Sequence, residues 1–133
     1  MPDIELRTDG PFGPDYLRQV AATFAEAVRV MNHATLGDTG ALEYPSDAYD
    51  VLGHIYTGTR RLPQLLAQLN GFLDGWQASG QLADNSGLDP SRQAALAAFA
   101  LGEAHTLAAQ LTEALQQAQN AISGLYVKDV TDE

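Results

Sequence analysis

The chain has 133 residues, enough for one domain with a core of its own but not comfortably for two. Cysteine is absent, which removes disulfides, thiolate metal sites and cysteine nucleophiles from consideration. A net charge of −10 opposes a phosphate-neutralising surface, so neither nucleic acid nor anionic lipid is expected as a partner.

In chain order, the opening MPDIELRTDG is acidic and lacks the apolar centre of a Sec-type signal peptide. No uncharged apolar run reaches the roughly 20 residues that span a bilayer. A soluble, cytoplasmic protein is expected. Within residues 1–13, DIELRT alternates weakly and reads as a short strand or an extended arm.

The first helix is expected over 14–36. Its apolar positions are Leu17, Val20, Phe24, Ala27, Met31 and Ala34, spaced by three and four. Gly13 is a permissive N-cap, Pro14 opens the helix, Asp15 suits the positive end of its dipole, and Gly37 is a natural stop.

The second helix is expected over 46–79, with Ser46 as its N-cap. Its stripe runs Ala48, Leu52, Ile55, Thr59, Leu62, Leu66, Leu69, Leu73, Trp76. Pro63 lies inside it, where a proline removes one backbone hydrogen bond and clashes with the carbonyl of Thr59. The three-four alternation nevertheless keeps its phase across Pro63, which favours one kinked helix over two. Trp76 continues the stripe and is expected in the core. Gly71 and Gly75, four apart, suit either a close helix contact or simple tolerance of glycine.

After GQLADNSGLDP, Asp89 caps and Pro90 opens a third helix over 90–123, with Gly124 as the stop. Its stripe is Ala94, Ala97, Leu101, Ala104, Ala108, Leu111, Leu115, Ala118, Ile122. At 1.5 Å per residue this helix is about 50 Å long. The fold class implied is all-α: an antiparallel three-helix bundle with long coiled-coil-like helices, the middle one kinked at Pro63, or four helices if it breaks there. One helical-bundle domain covers 1–133, with an arm at 1–13 and a tail at 124–133 whose YVKDVTDE is a strand or an extended end.

The helices carry little charge. Between 91 and 123 only Arg92, Glu103 and Glu113 are charged, and between 62 and 80 only Asp74. A solvated helix face normally carries more. Beside the third stripe lies a second apolar strip, Leu96, Phe99, Ala100, Leu107 and Ala114, next to an outer face rich in glutamine that includes Gln110 and Gln117. Either the first helix covers this strip, or a partner or second copy packs on it. Leu96, Phe99, Leu107, Gln110 and Gln117 are therefore the interface candidates.

The stretch NHATLGDTGALEYPSDAYD, residues 32–50, concentrates polar chemistry. Asp50 and His54 are four apart on one helix face, and His33 with Asp38 or Glu43 could complete a nitrogen and oxygen ligand set. No HExxH or paired ExxH accompanies them, and both ends of the stretch are explained by helix termini. Neither a metal nor a cofactor is expected, with His33, Asp50 and His54 as the residues to watch. The carboxylates sit where helix starts and solvated turns put them, Ser46 is better used as a cap than a nucleophile, and GDTG lacks a phosphate loop's lysine. No enzyme activity is expected. Arg60 and Arg61, the one basic pair, suit an acidic partner, a phosphate or a carboxylate on a neighbouring helix.

The run EYPSDAYDVLG followed by RRLPQLLAQLNGFL, with the surrounding Ala- and Leu-rich helices, resembles short helical proteins of unknown function from actinobacteria. The resemblance covers residues 15–80 and attaches no activity. The hairpin is also similar in architecture to small secreted proteins with a Trp-x-Gly turn, but Trp76 is followed here by Gln77 and Ala78, so that motif is missing. The function expected is a non-enzymatic interaction protein or accessory, regulatory subunit that binds a protein partner or itself. The alternative is a helical sensor for a small ligand or metal near residues 32–50.

Overall fold

The computed structural model describes residues 3–129. Among the described residues there are three helices and no strand: α1 (Pro14–Ala34), α2 (Pro45–Ser79) and α3 (Pro90–Ile122). The class is all-α, as the periodicity implies. Packing divides the chain into Met1–Glu43, which holds α1, and Tyr44–Glu133, which holds α2 and α3.

In the first unit, Gly13 is extended at the N-cap and Pro14 occupies the first helical position. The helix ends two residues before the expected boundary. The Thr35 hydroxyl donates to the carbonyl of Met31 at 2.8 Å, and Gly37 then turns the chain at a φ of +72°. That left-handed conformation is the reason a glycine stands there. No residue of α1 is buried, and Leu17, Phe24 and Val28 lie exposed along it. Two ion pairs, Arg18 with Asp15 and Arg29 with Glu26, each span one turn of its surface.

DIELRT is an extended arm and not a strand, held by one tyrosine. The Tyr16 hydroxyl donates to the carbonyl of Glu5 at 2.7 Å and accepts from the Arg7 amide at 3.1 Å. The Arg7 guanidinium lies 4.2 Å from the centre of the Tyr16 ring, a cation–π contact, and Phe12 stacks on the same ring with centroids 6.1 Å apart. Residues 125–129 form no strand either, and the end of the tail lies outside the described residues.

In the second unit, α2 starts one residue before the expected position, and Ser46 is not its cap. Tyr44 is the N-cap residue, Pro45 opens the helix, and the Asp47 carboxylate reaches back to accept the Tyr44 amide at 2.8 Å. This is the returning half of a capping box, with the acid at the third helical position. The helix then runs unbroken through Pro63 to Ser79, so the chain has three helices and not four among the described residues. The missing amide at Pro63 leaves the Thr59 carbonyl without its helical donor. Thr59 itself is buried, and its hydroxyl turns back to the Tyr56 carbonyl at 3.0 Å. Gly80, at a φ of +73°, ends α2.

Asp89 caps α3 as expected, its carboxylate accepting the Ser91 amide at 3.1 Å, with Pro90 following. The helices α2 and α3 pack closely along each other. They run antiparallel, because contacts pair the start of α2 with the end of α3 and the reverse. Gln119 donates to the Tyr49 carbonyl at 3.3 Å, and Gln77 donates to the Ser91 hydroxyl at 2.9 Å. Gly53 makes the first contact possible: a Cβ there would lie 2.6 Å from the Gln119 amide nitrogen.

Candidate interaction surface

The seam of the hairpin is rich in small residues. On α3 the side turned to α2 carries Ala94, Ala97, Leu101, Ala104, Ala108 and Leu115, and Ala108 is the most enclosed at 8% exposed. Thr59 is its buried counterpart on α2. Alanine adds one methyl group, so a helix lined with it lets its neighbour approach closely while contributing little apolar surface of its own.

Larger aliphatic residues also stand at the seam, half-buried: Leu52, Ile55, Leu62 and Leu66 on α2, and Leu101, Leu115 and Ile122 on α3. A second apolar set lies elsewhere. Leu65, Leu69, Phe72, Leu73 and Trp76 on α2, and Leu96, Phe99, Leu107 and Leu111 on α3, all remain substantially exposed, with Phe99 at 69% and Leu107 at 61%. Trp76 is 46% exposed, so it is not a core residue. Leu69, Leu73 and Leu111 also leave the expected buried stripe. In the second half of α3 the seam positions pass instead to Thr112 and Gln119, both half-buried, while Leu111 and Ala118 turn outward.

These residues form one face. At about 100° per residue, the exposed strip is displaced from its seam by about 90° on α2 and about 110° on α3, with Phe99 turned almost directly away from α2. Seen from each helix's own N-terminus, the displacement has the same rotational sense. Because α2 and α3 are antiparallel, similar displacements bring the two strips to the same side of the hairpin. Phe72 and Phe99 stand at its outer edges. Taking about 200 Å² for one complete side chain, the nine residues expose on the order of 900 Å², well above the largest apolar patch of an ordinary monomer surface, about 300–600 Å².

Charge is sorted only in part, since Asp50 and Arg61 lie on the same side of α2 as its strip, beyond the end of that strip. Arg60 and Asp74 on α2 and Glu113 on α3 lie around the opposite side of the hairpin, together with Gln64 and Asn120. Arg61, one turn before Leu65, marks where the α2 strip ends. On the apolar face of α3 the charges are Glu103 and, one turn before Leu96, Arg92.

All five interface candidates from the sequence, Leu96, Phe99, Leu107, Gln110 and Gln117, are exposed. Leu96 and Leu107 lie within the face, and Gln110 and Gln117 follow Phe99 along its outer edge. The half contributed by α2 escaped the sequence reading, because Leu69 and Trp76 continue a stripe that looks like core. The available signal was its width: Leu65 and Phe72 fall outside any single narrow seam.

The other candidates do not assemble. His33, Asp50 and His54 are exposed, and among the described residues no three histidine, aspartate or glutamate side chains are placed to hold a metal ion. The middle of residues 32–50 is helix punctuation. Gly37 and Gly40 both take positive φ, and the Thr39 hydroxyl caps the Ala34 carbonyl and accepts the Ala41 amide. Arg60 lies 5.8 Å from the Tyr56 ring centre, and among the described residues neither Arg60 nor Arg61 forms an ion pair. Nothing within 4 Å would meet a side chain at Gly71 or Gly75, so α3 does not approach them closely.

Among the described residues no helix is long and apolar enough to cross a membrane. No family model, no curated protein and no solved structure matches the chain.

Proposed function

We propose that this chain is a non-enzymatic helical interaction module, an accessory or regulatory subunit whose contact surface is the apolar side of the α2–α3 hairpin. One observation carries the reading: Leu96, Phe99 and Leu107 project large apolar side chains from a helix that buries mainly alanine. An exposed apolar face of this size is the ordinary mark of a surface that is covered in use. The aromatic edges at Phe72 and Phe99 resemble the anchors that carry much of the energy in protein interfaces.

Site-specific photocrosslinking tests this. A benzophenone side chain at Phe99 is expected to give protein adducts of discrete mass, and the same group at Glu113, on the polar side, none. Equal labelling from both positions, or none from either, would refute the reading.

A further inference from the structure

We infer that the apolar side of the hairpin is covered by a second copy of this chain, two hairpins meeting face to face as a four-helix assembly. The inference rests on the interaction reading above and names the partner. Three observations carry it.

The first is charge. The chain is strongly acidic, at −10, so two copies repel across most of their surfaces. Within the apolar face Glu103 is the one carboxylate, and here two like-charged chains can meet with little like-charge contact. A basic partner would be selected by carboxylates, and between Leu65 and Trp76 on α2 and between Leu96 and Leu111 on α3 this face offers only Glu103.

The second is area. Leaving out Phe99 at the outer edge, covering about 800 Å² on each copy would remove on the order of 1,600 Å² in total, within the range of stable, specific interfaces, about 1,200–2,000 Å². The third is shape. The strips on α2 and α3 flank one groove along the hairpin, and the α3 part from Leu96 to Leu111 extends about 22 Å. A second hairpin supplies two further helices with the same apolar strips. A two-fold axis then satisfies both copies with one surface, the self-complementary arrangement of most dimers.

Sedimentation equilibrium of the full chain over a wide concentration range tests the inference. The expected species has twice the 14.2 kDa chain mass. Leu69→Lys with Leu107→Lys is expected to weaken dimerisation at least about 30-fold, as loss of central anchors does. Glu113→Lys, on the polar side, is expected to change it by less than about threefold. Charge inside an obligate dimer leaves no folded monomer, so the melting temperature of the unaltered chain is read as well. It is expected to rise with protein concentration.

A chain that stays monomeric, with a melting temperature independent of concentration, overturns the second-copy inference. If it still crosslinks to a different protein from Phe99, the interaction reading stands. If instead the two lysines lower the monomer's melting temperature, the chain covers the face itself, and both readings fail.

Discussion

The two apolar sides of α3 invert the usual order of burial. Toward α2 it turns Ala94, Ala97, Ala104 and Ala108; toward the open side it turns Leu96, Leu107 and Leu111, with Phe99 at the edge. Large aliphatic and aromatic residues are normally the most completely removed from water, since each contributes about 1.5–3 kcal/mol when fully buried. A methyl group contributes far less. The alanines of α3 therefore set how closely α2 and α3 approach, while a large share of the apolar surface of α3 lies on its other side. Closeness and driving force are separate properties, and here they occupy different faces of one helix.

The sharpest way to break this comparison is to alter neighbouring residues on the two faces. Ala108→Leu forces three extra carbon atoms into the seam and is expected to destabilise the chain by about 1–3 kcal/mol, read by chemical denaturation. Leu107→Ala is expected to leave the stability of the separated chain within about 0.5 kcal/mol while weakening self-association. If the two substitutions cost the same in a dilute sample, the faces are not distinct.

Pro63 offers a smaller effect beside the same seam. Pro63→Ala restores an amide donor to the Thr59 carbonyl and removes a helix-breaking residue. Against this stand the lost packing of a half-buried ring and the greater freedom of the unfolded chain. A net stabilisation of about 1–2 kcal/mol is expected, seen as a higher melting temperature. A decrease would show that Pro63 contributes to the seam through its shape.

Asp89→Ala supplies a yardstick that favours neither face. It removes the acceptor of the Ser91 amide at the start of α3 and is expected to cost about 1 kcal/mol. Self-association should then weaken only as far as α3 frays.

Much of this was legible in the sequence because it is local. Pro14 and Pro90 after their caps, Gly37 at positive φ, and the phase kept across Pro63 concern residues within a turn or two of each other. The helix ends consequently fall within two residues of expectation. The misplacement of the α2 cap is informative: Ser46 is a good capping residue, but Pro45 before it favours the first helical position, and Asp47 completes the reciprocal bond with Tyr44. The strip at Leu96, Phe99 and Leu107 was visible from the scarcity of charge around it. The burial of Trp76 and Leu69 was misjudged because a helix that is apolar around more than half its circumference contains more than one three-four stripe.

By itself, the sequence determined the three helices, their order, their ends and the low charge of the last two, since hydrogen bonds and caps close within a few residues. Only the tertiary structure decided how far each stripe stays in the seam: Ala48 to Leu66 on α2 and Ala94 to Ala108 on α3 keep to it, while Leu69, Leu73, Trp76 and Leu111 leave it. That outcome depends on the distance between two backbones: alanines at 97, 104 and 108 let α2 and α3 approach, Gly53 admits the Gln119 side chain, and Leu69, Phe72, Trp76, Leu96, Phe99 and Leu107 are left exposed.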